Sequence, residues 1–162
     1  MAYKISTSGM DELVQKLQRA GEAAHGVAAA SLYEGAGVVA DAVSSAVQGI
    51  AVKRFKYPAP PGKQRMPSPE EKAILENARS GVAKFRDDGG SVNTSVGFQS
   101  SGYADLNGKS VPVPVIANAI NSGTSFMKKQ PFFRRATSQS EGSALGKIDS
   151  GIQQRVDALL KD

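Results

Sequence analysis

Residues 112–136, PVPVIANAINSGTSFMKKQPFFRRA, carry the densest set of structural signals in the chain. Pro112 and Pro114 suit the first turn of a helix, and Gly123 suits its end, so a short helix with a left-handed glycine cap is expected. A polar Gly-Thr-Ser turn and a lysine pair come next. Pro131 then predicts the start of a further helix.

Two adjacent aromatic residues, Phe132 and Phe133, follow that proline. Neighbouring residues on a helix point about 100° apart, so one ring is expected to anchor the helix and the other to face a partner. Four basic residues and no acid lie in 128–135. A solvated basic turn is the plain explanation, whereas arginine beside aromatic residues is typical of protein interfaces. The residues predicted for a subunit or partner interface are Gly123, Thr124, Ser125, Pro131, Phe132, Phe133 and Arg134.

The composition restricts the kinds of chemistry available. A chain of 162 residues fits one domain, and with no cysteine it has neither disulfides nor thiolate ligands. His25 is the only histidine and lies in an alanine-rich helix end, where a structural or surface role is expected. Phosphate-binding glycine loops and nucleophile elbows are also absent from the sequence. We therefore expect a protein that is not an enzyme and that uses no metal or cofactor.

Membrane and secretion signals are not found in the sequence. No apolar run approaches the roughly 18 residues that a membrane helix needs. The first residues also lack the basic-then-apolar pattern of a secretory signal. The sequence thus predicts a soluble protein that is made in the cytoplasm and makes no membrane contact.

A second basic region, residues 51–69, reads AVKRFKYPAPPGKQRMPSP. Proline at this density prevents regular structure, so an extended loop is expected. One interpretation is a solvated linker. The other is an arm that contacts a partner or DNA, and aromatic residues among the cations would also suit stacking on bases, although so short a pattern is not specific. The residues of this predicted arm are Lys53, Arg54, Phe55, Lys56, Tyr57, Lys63 and Arg65.

Helical signals dominate the first fifty residues. Residues 3–5 suit a short edge strand, and Ser8 is expected to open an amphipathic helix. Gly21 and Gly26 predict a hinge or tight turn, after which a second helix is expected over about 27–49. The two helices would form either a hairpin or one long kinked helix.

The middle of the chain predicts a small antiparallel sheet. A short helix is expected over about 69–80, because Pro69 and the two glutamates after it suit the start of a helix. The runs 82–86 and 92–98 flank an Asp-Asp-Gly-Gly turn, and the second run alternates between apolar and small polar residues, which indicates a β-hairpin. Residues 99–110 are expected to form a polar loop with a turn at Asn107-Gly108.

The last helix is expected to be amphipathic and to pack on the sheet or on the second helix. Its apolar residues recur every three or four positions. They are Leu145, Ile148, Ile152, Val156 and Leu159. An interruption is expected over 138–142, and Gly35 and Gly37 are expected to permit close helix packing or a kink. The fold class predicted from the sequence is α+β, as a single domain over 1–162.

With these elements in place, the chain resembles the neck or tail-completion family of long-tailed bacteriophages, which is related to the minor tail protein Z of lambda-like phages. The resemblance rests on the order of elements and on a signature of a Gly-Thr-Ser turn, a basic stretch, then Pro-Phe, a further apolar residue, Arg and Ala. The matching residues are Gly123, Thr124, Ser125, Lys128, Lys129, Pro131, Phe132, Phe133, Arg134 and Ala136. Asn121-Ser122 and Arg135 depart from what is common in that family.

The resemblance implies a structural virion protein at the junction of the filled head and the tail, assembled in the bacterial cytoplasm. It would form a homo-oligomeric ring or collar that completes the tail. Implied partners are further copies, the head-closure or connector protein, the tail-tube or tail-terminator protein, and DNA in the channel. A basic nucleic-acid-binding module is the alternative, because positive charge is concentrated in two segments and the net charge is +5.

Overall fold

The computed structural model describes residues 8–54, 62–83, 86–87, 92–98 and 102–159, and side chains from residue 21 onward except those of 86 and 87. The fold is α+β, as predicted, with four helices and two small antiparallel hairpins in the described residues. The predicted edge strand at 3–5 lies outside the described residues. No helix within them is both long and apolar enough to cross a membrane.

The first helix, α1 (Ser8–Gln48), is a single helix of 41 residues, about 60 Å long at 1.5 Å per residue. The predicted turn at Gly21 and Gly26 is therefore wrong, and so is the helical-hairpin alternative. An isolated glycine inside a helix costs only about 1 kcal/mol relative to alanine. The surrounding residues are rich in alanine, which offsets that cost and keeps the helix continuous.

Helix α4 (Phe132–Leu159) runs antiparallel to α1. Gly35 lies against Ile148, and Ser31 lies against Gly151, so the residue numbers run in opposite directions along the contact. The buried residues of α4 beyond Phe132 are all small, namely Ala136, Ser140, Ala144 and Gly151. Small side chains let the two backbones approach closely.

The predicted interruption of α4 over 138–142 is wrong. Ser140 is buried and donates its hydroxyl to the carbonyl oxygen of Ala136, at 2.8 Å, one turn back in the helix. This bond satisfies the serine without breaking the helical ladder. Helical structure therefore continues through a segment whose composition favours a loop.

The first hairpin confirms the prediction. It consists of β1 (Ser80–Val82) paired with β4 (Val96–Phe98), and β2 (Arg86–Asp87) paired with β3 (Val92–Asn93). Residue Ser80 fixes the hairpin to α1, because its hydroxyl donates to the carbonyl oxygen of Ala40 at 2.5 Å and its amide donates to Ser44 Oγ at 3.0 Å.

A second hairpin replaces the loop expected over 99–110. Strands β5 (Tyr103–Leu106) and β6 (Lys109–Pro112) pair in antiparallel register. The turn residues Asn107 and Gly108 both have positive φ angles, 56° and 76°, which is the geometry of a tight two-residue hairpin turn. The Asn-Gly signal thus located the turn, and the short polar strands on either side were missed.

Two short helices complete the core. Helix α2 (Pro69–Ala78) starts with Ser68 as its cap, and α3 (Val113–Ser122) follows β6 directly, both close to the predicted positions. The buried apolar cluster draws on all four helices and on the α3–α4 connection. Its members are Val43, Val47, Ile50, Leu75, Val113, Ile116, Ala117, Ile120, Met127, Phe132 and Ala136.

Substitution of two glycines in α1 tests the close packing of α1 on α4. A Cβ atom on Gly35 would lie 2.7 Å from Ile148 Cδ1 and 3.0 Å from the Ala144 carbonyl oxygen, whereas one on Gly37 would meet nothing within 4 Å. We expect Gly35→Ala to lower the free energy of unfolding by about 1–2 kcal/mol through overpacking. The control Gly37→Ala should raise it by about 0.5–1 kcal/mol. Urea unfolding measures both, and a stabilising Gly35→Ala would contradict the packing.

The charged contact between α1 and α4 predicts a pH dependence. Arg155 donates to Glu34, and Lys147 Nζ lies 3.8 Å from the same carboxylate. The hydrogen bond from Arg155 holds the pKa of Glu34 below its ordinary value of 4.5. A lowered folded-state pKa stabilises the fold above about pH 4.5, and that contribution is lost as the pH falls below it. We expect Glu34→Gln to be less stable than wild type in urea at pH 7, and the difference to become smaller at pH 3. A difference between the two proteins that does not change with pH would refute the assignment.

Candidate interaction surfaces

The connection between α3 and α4 begins with a backbone conformation that requires glycine. Gly123 has φ 76° and ψ 166°, so it is not the predicted left-handed cap but occupies an extended region of positive φ open almost only to glycine. A Cβ atom there would also lie 2.9 Å from Lys129 Cβ. A glycine is therefore needed at the end of α3, as predicted, although its backbone conformation differs from the predicted one.

The next residues form a tight turn around the side chain of Thr124. Its Oγ1 accepts hydrogen bonds from the amides of Phe126 at 3.3 Å and Met127 at 3.0 Å, and its own amide donates to the Met127 carbonyl at 3.0 Å. Ser125 is exposed at the tip. The turn buries Met127 and leaves Phe126 53% exposed.

This turn is bound to the basic segment 62–68. The Arg65 amide donates to the Phe126 carbonyl and the Lys128 amide donates to the Arg65 carbonyl, both at 2.8 Å, so the two segments pair in parallel. Gln64 Nε2 donates to the Thr124 carbonyl at 2.8 Å. The two basic regions identified in the sequence are thus adjacent in the fold.

The end of α1 joins the same assembly. The side chain of Gln130 both accepts from the Ala51 amide, at 2.9 Å, and donates to the Ala51 carbonyl, at 2.7 Å. The Lys53 amide donates to the Pro67 carbonyl at 3.0 Å. Three segments, 51–54, 63–67 and 124–130, are therefore joined by hydrogen bonds, and we refer to them as the basic platform.

Within the basic platform, Arg65 is engaged inside the chain. Its guanidinium forms two parallel hydrogen bonds with the carboxylate of Glu71, at 2.6 and 2.7 Å. The Glu71 side chain is only 4% exposed and also accepts from the Ser68 amide at 2.8 Å. Arg65 therefore holds α2 in place, and its charge is not available to the predicted partner-binding arm.

The other predicted arm residues are exposed where they are described. Lys53, Arg54 and Lys63 are exposed, as are Lys128 and Lys129 of the signature segment. Phe55, Lys56 and Tyr57 lie outside the described residues. No salt bridge among the described residues engages Lys53, Lys63, Lys128 or Lys129. Within the described part of the chain, the basic platform therefore presents four exposed lysines that form no salt bridge.

The two phenylalanines have different environments. Phe132 is buried, at 6% exposure, and its ring makes edge contacts with Phe98 at 6.4 Å and with Phe133 at 6.5 Å between centroids. Phe133 is half-buried and lines a shallow depression of about 300 Å³ with Pro114 and Asn121, whose Oδ1 accepts from the Phe133 amide at 3.1 Å. Phe132 is thus the anchor of α4, and a partner contact through Phe133 stays a prediction.

The remaining signature residues fall on the outside of this junction. Pro131 is half-buried, and Arg134 and Arg135 on the first turn of α4 are exposed. The structure brings the predicted interface residues together in one continuous segment, from the end of α3 to the start of α4.

The prediction that the apolar residues of α4 pack inside the protein is wrong for most of them, and they form an exposed apolar stripe. Leu145, Ile152, Val156 and Leu159 were expected to pack inside, but they are 55%, 37%, 40% and 50% exposed. Leu145 follows the buried Ala144, and consecutive helical residues point about 100° apart, so the small residues face α1 and the large ones face outward. Ile148 lies at the border between the two faces and packs against Gly35 of α1.

Residues that sequence reasoning missed include Glu71, Phe126 and Gln130. A signal existed for Glu71, since Ser68 and Glu71 have the spacing of a capping box, and both reciprocal hydrogen bonds are present. Nothing in the sequence indicates that Gln130 binds Ala51, which is 79 positions away. No group of three or more acidic or histidine residues that could hold a metal occurs within the described ranges.

Comparison of the chain with known proteins adds no identification. No family model, curated protein or solved structure matches it. The resemblance to phage neck and tail-completion proteins therefore rests on the order of elements and on the signature segment alone.

Two charge-neutralising substitutions in α2 test the role of the buried pair. Glu71→Gln leaves the Arg65 guanidinium without its counter-charge in a site only 14% exposed, and we expect a loss of about 3 kcal/mol in the free energy of unfolding. Glu76→Gln is the matched control, because Glu76 pairs with Lys72 at 3.7 Å on the surface and should cost less than about 0.5 kcal/mol. Similar losses in both variants, measured by urea unfolding, would argue against the structural role of Glu71.

Proposed function

We propose that the chain is a structural virion protein of the phage head–tail junction, which assembles as a homo-oligomeric ring or collar and completes the tail for joining to the head. Its partners would be further copies, a head-closure or connector protein, and a tail-tube or tail-terminator protein. The observation that carries the proposal is the exposed apolar stripe on α4. The signature segment and the order of elements support it.

The stripe has the spacing of a helix-packing seam. Leu145, Ile152, Val156 and Leu159 are separated by seven, four and three residues, so they stay on one side of the helix. Beside them, Val39 of α1 lines a shallow groove with Leu145. A contiguous apolar strip on an otherwise polar helix loses contact with water most readily by packing on another protein surface.

The distribution of charge favours a second copy as the occupant. Exposed cations lie at the start of α4 and in the basic platform, whereas the exposed acids Glu141, Asp149 and Asp157 lie along α4 beside the stripe. No salt bridge among the described residues engages these three acids, because Lys147 and Arg155 are both paired with Glu34. The basic end of one copy therefore complements the acidic side of the next.

Such a contact joins two different surfaces of the same chain. Head-to-tail interfaces of this type generate closed rings when the rotation between copies closes. A two-fold dimer would instead place like surfaces together and oppose the acids of one copy with those of the other. Charge complementarity thus supports a ring or collar over a symmetric pair.

Oligomeric size provides the first test. Wild-type protein should be larger than a monomer in light scattering and form rings in electron micrographs. Leu145→Gln with Ile152→Gln should shift it toward monomer, because each apolar side chain lost from an interface costs about 1.5–3 kcal/mol, or roughly ten- to hundredfold in association.

Val115→Gln is the control for that test, because Val115 is 56% exposed on α3, away from the stripe, and its loss should leave the size unchanged. Phe132→Ala is unsuitable as a test, since removal of a buried ring costs about 3–5 kcal/mol of fold stability. A monomeric wild type, or equal effects of the stripe and control variants, would rule out assembly through α4.

The virion role needs a separate experiment. A phage whose copy of this gene is disrupted should accumulate DNA-filled heads and unattached tails in electron micrographs, and the purified protein should restore joining in a mixed extract. Complete particles without the protein would reject the proposal, whatever the oligomeric state.

A further inference from the structure

We infer that the basic platform binds the phosphate backbone of nucleic acid. The inference goes beyond ring assembly and does not depend on it. It rests on four exposed lysines, Lys53, Lys63, Lys128 and Lys129, which come from three segments that hydrogen bonds join.

The backbone of the platform fixes the spacing of these lysines. The Lys128 amide donates to the Arg65 carbonyl, and the Lys53 amide donates to the Pro67 carbonyl two residues further on. Lys63 precedes Arg65 by two residues, and Gln64 donates to the Thr124 carbonyl. The backbone segments that carry these cations are therefore joined before any partner binds, which reduces the conformational entropy that binding would cost.

No acid within the described residues neutralises the four lysines. Glu71, the buried acid of this region, already accepts hydrogen bonds from Arg65 and from the Ser68 amide. The nearby Glu70 is exposed at the start of α2, where the hydrogen bond from its own backbone amide is the main cause of a lowered pKa and the positive charge of Arg54 contributes. Close like charges without counter-charges repel one another, so a polyanion gains more here than at scattered surface lysines.

The type of cation distinguishes nucleic acid from an acidic protein surface. Lysine is depleted at the centres of protein interfaces, where arginine is enriched, yet four of the five exposed cations on the platform are lysines. The arginine best placed to form two parallel hydrogen bonds with a carboxylate, Arg65, is already paired. Lysines act as point charges that neutralise phosphates without reading base sequence.

Binding titrations across salt concentration test the inference. A fluorescent DNA duplex is titrated with wild-type protein, and four phosphate contacts predict that a fourfold rise in salt weakens binding by about two orders of magnitude. Lys128→Gln with Lys129→Gln should weaken binding at low salt and reduce the slope of log affinity against log salt by about 2.

The control variant Lys109→Gln with Lys147→Gln removes the same net charge from exposed sites outside the platform, and its slope should equal that of wild type. Circular dichroism confirms that both variants are folded. Equal slope changes in the two variants, or no binding of the duplex at low salt, would overturn the inference. Polyglutamate that displaces the duplex at equal charge would also overturn it and would point to an acidic protein partner.

Discussion

The buried carboxylate of Glu71 is the constraint on which the rest of the structure depends. An isolated carboxylate at that depth would be strongly unfavourable, and it is tolerated because Arg65 and the Ser68 amide satisfy both of its oxygens. Those bonds determine where the segment before α2 lies. That segment in turn pairs with the turn at Met127, and Met127 belongs to the same buried cluster as Ile120 and Phe132. The need of the buried Glu71 carboxylate for hydrogen-bond donors thus helps to position the connection between α3 and α4.

The packing of α1 on α4 depends instead on small residues at the contact. Gly35, Ala144 and Gly151 allow the backbones to approach until even one added carbon would be too close to its neighbours at Gly35. Close approach through small side chains buries little apolar surface per residue. The larger apolar residues of α4 then have no place between the helices, and they remain on the outer face as the stripe.

The sequence allows prediction of those parts of the fold that local chemistry decides. Pro69 after Ser68, the Asp-Asp-Gly-Gly turn and Gly123 each impose a backbone preference on their own neighbours, and α2, the first hairpin and the end of α3 lie close to where these signals place them. The failures in the helices have a common cause, since single residues that disfavour a helix are outweighed by the helical residues around them. Alanine-rich neighbours keep α1 helical at Gly21, and Ser140 satisfies its hydroxyl within α4.

Among the candidate surfaces, the sequence predicts the basic turn correctly but not the exposed face of α4. The exposure of Lys128 and Lys129 follows from their position in a polar turn, so the sequence is a sufficient guide to them. The apolar period of α4 correctly indicates a helix but cannot say which of its two faces is covered. A second, less hydrophobic face made of Ala136, Ser140, Ala144 and Gly151 is the one that packs, because it fits the close approach of α1.

Because α4 packs on α1 through its small residues, its larger apolar residues stay exposed as the stripe. A chain that needed only to fold on its own would gain more by burying Leu145 and Ile152 than by burying serine and glycine. The observed arrangement gives up that gain and leaves apolar area beside exposed acids on α4, with exposed arginines on the first turn of the same helix. The proposed head-to-tail contact would cover the apolar area and bring opposite charges together, and this is the physical argument for it.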